Sequence, residues 1–267
     1  MQKNTLRELV DAEEFSIGTR VLSRWPTVIE MIGQLGIFDY VEFAGEYAPY
    51  GLEELDNMAR AAELYDLSTI IKIDGTGREF LAQRAIGSGF QNVLFADIRS
   101  KEDAEECVRA VRAETPEAGG RNPCTMRRNF APEKGGTTEF VEAMDEAIVA
   151  LMIEKRPALE RLEEILAVDG VDMVQFGPCD YSMSIGLPGG MENEEVVRKE
   201  IEMIELALDK GVAPRVEIAE PEEADSYREL GVKHFSLNTD VVILRNWLKE
   251  NGRVLRNGLE ADYRGGV

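Results

Sequence analysis

The feature that most limits the folds open to this chain is a regular alternation of short and long apolar periods. Eight β-rich runs recur along it: FSIGT (15–19), DYVEF (39–43), STIIKI (68–73), NVLFA (92–96), IVALMI (148–153), DMVQF (172–176), PRVEI (214–218) and HFSLN (234–238). Between them lie longer stretches, such as LEELDNMARAAELY and NEEVVRKEIEMIELALDKG, whose apolar residues return three and four apart; several end in the Gly expected after a helix. Strand–helix alternation implies a parallel sheet, and eight units imply an α/β fold of the (β/α)₈ TIM-barrel type. The 267 residues match the usual size of one such domain, so the whole chain, 1–267, is read as a single barrel.

One interval breaks the rhythm. Residues 115–147 are turn-rich and carry Arg121, Arg127 and Arg128; they are read as a long loop over the barrel mouth. Arg127 and Arg128 there could bind a distal carboxylate of a substrate, against the plainer reading of a solvated loop.

The net charge of −21, from 51 acidic and 30 basic residues, argues against a nucleic-acid surface. No stretch has the apolar length to cross a bilayer, and the first residues lack the pattern of a secretion signal. Three cysteines without metal-finger spacing, Cys107, Cys124 and Cys179, suit ordinary thiols in a reducing cytoplasm.

In a parallel barrel the groups that do chemistry sit where strands end. Reading those ends gives Glu46 and Tyr47, Lys72, Asp97, Glu154, Asp180, Glu217 and Asp240. Glu154 and Asp180 come from neighbouring strands, and two carboxylates brought together repel unless a proton or cation lies between them. Mg²⁺ suits one or two carboxylates, with water and substrate oxygens completing its octahedron. The competing reading is that each acid caps a helix start.

The segments AGEYAP (44–49), MIEKRPALERLEEILAVDGVDMVQFGPCDYSMSIGLPG (152–189) and SLNTD (236–240) resemble the HpcH/HpaI aldolase family, and the likeness runs from Gly18 to Asp240. The resemblance implies a (β/α)₈ barrel that binds a pyruvate-type 2-oxo acid on a divalent metal, forms its enolate and cleaves aldols reversibly. It also implies a homo-oligomer, hexamer or dimer, whose subunits exchange their last helices. By position, Glu154 and Asp180 match the metal-ligating carboxylates, with Mg²⁺ expected and Mn²⁺ or Co²⁺ as alternatives. The backbone amides of Gly177, Pro178, Cys179 and Asp180 would face the substrate carboxylate; of these Pro178 has no N–H to offer. Glu46 matches the family as a group acting through a metal-bound water.

The chain departs from the family where protons move. The general-base histidine is Tyr47, its acidic partner falls at or near Gly87, and the substrate-binding arginine is Lys72; Ala44 and Met152 replace an aspartate and a glutamine. Lysine keeps the charge of arginine but loses its fork, and tyrosine, with a reference pKa of about 10, stays protonated at neutral pH. Tyr47 is therefore read as a general acid or as the holder of a water, with Lys72 assisting charge stabilisation.

The leading expectation is a metal-dependent carbon–carbon lyase on a hydroxylated 2-oxo acid, releasing pyruvate or a related 2-oxo acid plus an aldehyde. Alternatives are a decarboxylase or tautomerase on the same site, imine catalysis by Lys72, and a catalytically silent barrel that binds a 2-oxo acid. Among lesser signals, His234 is read as structural, and Glu42, odd inside a strand, as a partner of Lys72 or a proton acceptor. Met31 and Met58 are read as core.

Overall fold

The computed structural model describes residues 3–124, 128 and 135–265, with backbone only for 260–265. Eight parallel strands, β1 (Ser16–Val21), β2 (Tyr40–Ala44), β3 (Ser68–Ile73), β4 (Asn92–Phe95), β5 (Val149–Ile153), β6 (Met173–Phe176), β7 (Ala213–Ile218) and β8 (His234–Thr239), pair in sequence order and close β8 onto β1. Every residue of β2 to β6 is buried, as expected of strands covered on both faces.

Helices follow as α2 (Pro26–Gln34), α3 (Leu52–Glu63), α4 (Arg78–Ser88), α5 (Lys101–Val111), α6 (Thr138–Asp145), α7 (Arg156–Glu160), α8 (Leu162–Leu166), α9 (Pro178–Ser184), α10 (Glu194–Asp209) and α11 (Ala224–Glu229). Between β5 and β6 the segment ALERLEEILAVDG (158–170), whose apolar spacing suits one helix, holds the end of α7 and all of α8, two short helices meeting at Arg161. A helix absent from the sequence expectation, α1 (Thr5–Asp11), plugs the end where the strands start. Leu6 packs with Tyr40, Ile70 and Leu94, and its amide donates to Ser68 Oγ at 3.0 Å. Met58 is in the core, whereas Met31 is 51% exposed on the outer side of α2.

The described residues of the connection at 115–147 do not cover the mouth. Its described part lies along the outside of α4 and α5: Arg121 accepts from Gln83 through its carbonyl at 2.9 Å and pairs with Glu79 at 3.2 Å. Arg128 donates to the Ser88 carbonyl at 2.7 Å and pairs with Glu63, at the ends of α4 and α3 that face the strand starts. The reason is topological. A helix-to-strand connection returns to the start of the next strand, and the mouth is built from the strand-to-helix connections instead. Arg128 is thus committed to a structural pair remote from the mouth, and Arg127 lies outside the described residues.

The last helix, α12 (Asp240–Gly265), is 26 residues long, about 39 Å at 1.5 Å per residue. Its start is fixed by Asp240, whose carboxylate accepts from the amides of Leu22 and Ser23 at 2.9 and 3.0 Å. Asp240 is therefore an anchor between β1 and α12. Val254, Leu255 and Leu259 beyond it are exposed.

Candidate active site

The carboxyl ends of the strands surround a cavity of about 730 Å³ whose lining includes Arg20, Tyr47, Lys72, Glu154, Gly177–Asp180 and Glu217. A depression of about 800 Å³ at the opposite end, lined by Lys3, Glu8, Asp145 and Asp172, is wide and shallow and collects surface charges.

On one wall, the parallel register sets Ala44 beside Lys72, so the turn after β2 lies over the end of β3. The Glu46 amide donates to the Lys72 carbonyl at 3.1 Å and fixes that turn. Lys72 is 2% exposed; its Nζ pairs with Glu46 Oε2 at 2.7 Å and donates to Tyr47 Oη at 2.9 Å. Burial works against the ammonium, but Glu154, Tyr47 and Glu46 outweigh it and hold its pKa above the ordinary lysine value. A lysine so held is a poor nucleophile, which counts against imine chemistry. The Tyr47 phenol is also pushed up, first by burial and then by Glu46, against the pull of Lys72; it stays protonated at neutral pH.

Across the cavity, β5 delivers Glu154 and the turn after β6 delivers Asp180. Glu154 is buried, and its Oε1 accepts from the Asp97 amide at 2.9 Å. Gly177 is required here: a Cβ on it would meet Glu154 Cβ at 2.6 Å and Oε2 at 2.8 Å. Burial raises the pKa of Glu154, while Lys72, the Asp97 amide and Lys155 oppose the rise. Asp180, in the first turn of α9, is paired through Oδ1 with Lys155 Nζ at 2.7 Å; the same Nζ reaches Asp97 Oδ1 at 3.1 Å. Asp97 holds a left-handed backbone, φ +58°, a conformation that costs a non-glycine residue about 1–3 kcal/mol and persists only where its surroundings enforce it.

Beneath the cavity lies a buried charge network. Glu42, fully buried, pairs with Arg20 Nε at 3.0 Å and with Arg215 Nη2 at 2.5 Å. Arg215 also donates to Tyr40 Oη at 2.8 Å and to Gln175, and Arg20 reaches Glu217 at the cavity floor. Burial alone would raise the Glu42 pKa, but Arg215, Arg20 and Lys72 hold it down at about 2. The expected roles of Glu42 are thus corrected: its direct partners are arginines, and it stays ionised instead of accepting protons. His234 sits at the start of β8, its Nδ1 2.9 Å from Ser16 Oγ, with its pKa lowered to about 4 by burial and by Arg215 and Lys233.

Among the described residues, no group of three or more His, Cys, Asp or Glu side chains is arranged to hold a metal ion by itself. Glu154 and Asp180 nevertheless fit a hard cation. Both are carboxylates on one cavity, and an ammonium already sits against Asp180 as a stand-in cation. Of the residues expected at the site, Tyr47, Lys72, Glu154 and Gly177–Asp180 line this cavity, and Glu46 joins it through Lys72. The expectation missed Lys155, Arg20 and Arg215. Arg215 carried a signal, a charged residue inside the run PRVEI read as a strand, whereas Arg20 lies one residue beyond FSIGT and carried none.

A model of the family described as HpcH/HpaI aldolase/citrate lyase matches residues 21–246. The chain is 28% identical over 207 residues to a 4-hydroxy-2-oxo-heptane-1,7-dioate aldolase of Escherichia coli, spanning 78% of each chain. It is 30% identical over 185 residues to a hydroxypyruvate/pyruvate aldolase of Sagittula stellata, spanning 67% of this chain and 71% of that one. Among solved structures, an HpcH/HpaI aldolase from Desulfitobacterium hafniense DCB-2 superposes with a TM-score of 0.85 at 23% identity, covering 95% of this chain and 97% of the other.

Proposed function

The chain belongs to the HpcH/HpaI aldolase/citrate lyase family, and from that membership we propose that it is a divalent-metal-dependent carbon–carbon lyase. Its substrate would be a hydroxylated 2-oxo acid, cleaved to pyruvate or a related 2-oxo acid plus an aldehyde. The observation that carries the reading is the convergence of Glu154, Asp180 and the Lys72 ammonium on one cavity beside the Gly177–Asp180 turn. The family and the two relatives indicate aldolase-type lyase chemistry; the metal and the proton path come from the residues present.

Glu154 and Asp180 would hold the ion, with Mg²⁺ favoured over Mn²⁺ or Co²⁺ by an all-oxygen donor set that leaves room for water. When bound, it supplies positive charge next to the two oxygens of a 2-oxo acid. Lys72 adds a second fixed charge, and Glu46 keeps it in place. The amides of Gly177, Cys179 and Asp180 orient the substrate carboxylate. As the C–C bond breaks, the substrate hydroxyl passes its proton to water, and the half-exposed, protonated Tyr47 phenol delivers a proton to the enolate carbon or positions the water that does.

The test is a coupled assay for 2-oxo acid release from a panel of hydroxylated 2-oxo acids with Mg²⁺, Mn²⁺ or Co²⁺. We expect metal-dependent release that stops on chelation. No release from any substrate with any of the three ions would refute the lyase reading and leave a 2-oxo-acid-binding barrel. A second reading, decarboxylation, is favoured by the state of Tyr47: loss of CO₂ from a 2-oxo diacid needs a proton delivered but none abstracted, whereas tautomerisation on the same site needs both. Turnover of oxaloacetate without aldol cleavage would select it.

We further propose a homo-oligomer, dimer or hexamer, with α12 exchanged between subunits; the support is the exposed apolar residues along that helix. The partners are then a small 2-oxo acid and other copies of the chain. Among the described residues, no helix is long and apolar enough to cross a membrane, and the charge of −21 disfavours nucleic acid. A cytoplasmic location fits a chain of free thiols without a disulfide among its described cysteines.

A further inference from the structure

Glu154, Asp97, Lys155 and Asp180 form an open chain of contacts across the mouth. The Asp97 amide holds Glu154 Oε1, the Asp97 carboxylate holds Lys155 Nζ at 3.1 Å, and the same Nζ holds Asp180 Oδ1 at 2.7 Å. Lys155 follows Glu154 directly in sequence, so its stem leaves β5 beside the acid it neighbours and its tip reaches the other. The side chain is only 15% exposed, against 41% for Asp180 and 39% for Asp97, so the ammonium is the enclosed member of the group.

We propose that Lys155 competes with the divalent cation for Asp180 and so sets how tightly this site holds metal. The inference rests on the reading of Glu154 and Asp180 as the metal ligands. A cation held by Asp180 stands within a few ångströms of Lys155 Nζ and repels it, so binding favours departure of Nζ from Oδ1. Asp97 gives the ammonium a place to go: its Oδ1 already lies 3.1 Å from Nζ. Loading is therefore an exchange between two arrangements of one lysine. Its consequence is an ion held more weakly than the same two carboxylates would hold it without the ammonium.

The test is Mn²⁺ binding to the full-length protein, read by electron paramagnetic resonance of the free ion and by calorimetry at fixed ionic strength. Lys155→Met should tighten Mn²⁺ binding by about tenfold or more, the effect of removing one neighbouring like charge. Lys155→Gln, which keeps the polar tip without the charge, should do the same and serves if the methionine variant does not fold. Equal or weaker binding in both variants, measured on protein with an unchanged melting curve, overturns the proposal. Glu154→Gln separates this from failure of the underlying site. Unchanged Mn²⁺ affinity in that variant means the ion is held elsewhere; weakened affinity there with no gain in the Lys155 variants means the site is right and the competition is not. Gain in the Lys155 variants together with weakening in Glu154→Gln supports both.

Discussion

Tyr47 stands where the proposed reaction needs a proton moved, and its neighbours decide what it can do. A phenol becomes a base only if a nearby positive charge outweighs the cost of burying the phenolate. Here Lys72 donates to Tyr47 Oη at 2.9 Å, but burial and Glu46 oppose it, and the balance keeps the phenol protonated. Lys72 cannot serve as the base either, since Glu154, Tyr47 and Glu46 hold its proton in place. The pair is built to give a proton. Tyr47→Phe should therefore lower kcat by about 100-fold with little change in KM for the 2-oxo acid, as removal of a positioned acid usually does. A loss below threefold in steady-state assays would take the phenol out of the proton path. Identity at such positions was legible in the sequence, because the Gly-Glu pair before Tyr47 marks the end of β2. Its ionisation was not: that depends on which charges surround it, and Glu42 shows how far this can mislead. Read alone, Glu42 looks like a proton acceptor; between Arg20 and Arg215 it is an ion locked near pKa 2.

At the scale of elements, the short apolar-rich runs specified all eight strands to within two residues at each end, because strands covered on both faces are rich in β-branched and aromatic residues. The same logic failed for α1, whose seven residues bury one leucine and carry too short a pattern to stand out. It failed again for the 115–147 connection. Composition identifies a long irregular segment, but only the order of elements says at which end of the barrel it returns. α12 poses the reverse problem: its amphipathic pattern is plain, yet apolar side chains from Val241 to Leu259 face solvent in the single chain. Exposed apolar surface of this extent marks an interaction site. Deleting residues 250–267 should reduce the proposed oligomer to a smaller species by light scattering and lower its melting temperature. An unchanged mass, or a full-length protein that is already monomeric, would remove α12 from the assembly.

The whole molecule is a barrel whose interior changes character along its axis. At the strand starts it is filled by Leu6, Ile70, Leu94 and Ala150, the usual apolar packing. Midway it holds Arg20, Glu42 and Arg215, and at the mouth Lys72, Glu154, Asp180 and Lys155. Burying an ion pair costs more desolvation than an apolar pair of the same size, so the middle layer weakens the fold unless it is fully partnered; Glu42 meets two guanidinium groups for that reason. The layer also gives the cavity a rigid, charged floor on which Glu217 rests against Arg20. Everything functional follows from the mouth being a place where oxygen ligands and positive charge meet. The most direct test is an anomalous difference map from crystals grown with Mn²⁺ and oxamate. The account predicts a single strong peak bonded to Glu154 and Asp180, with Lys155 moved to Asp97 and oxamate lying between the ion and Lys72. A map with no peak there, Lys155 still on Asp180 and oxamate bound elsewhere would contradict it.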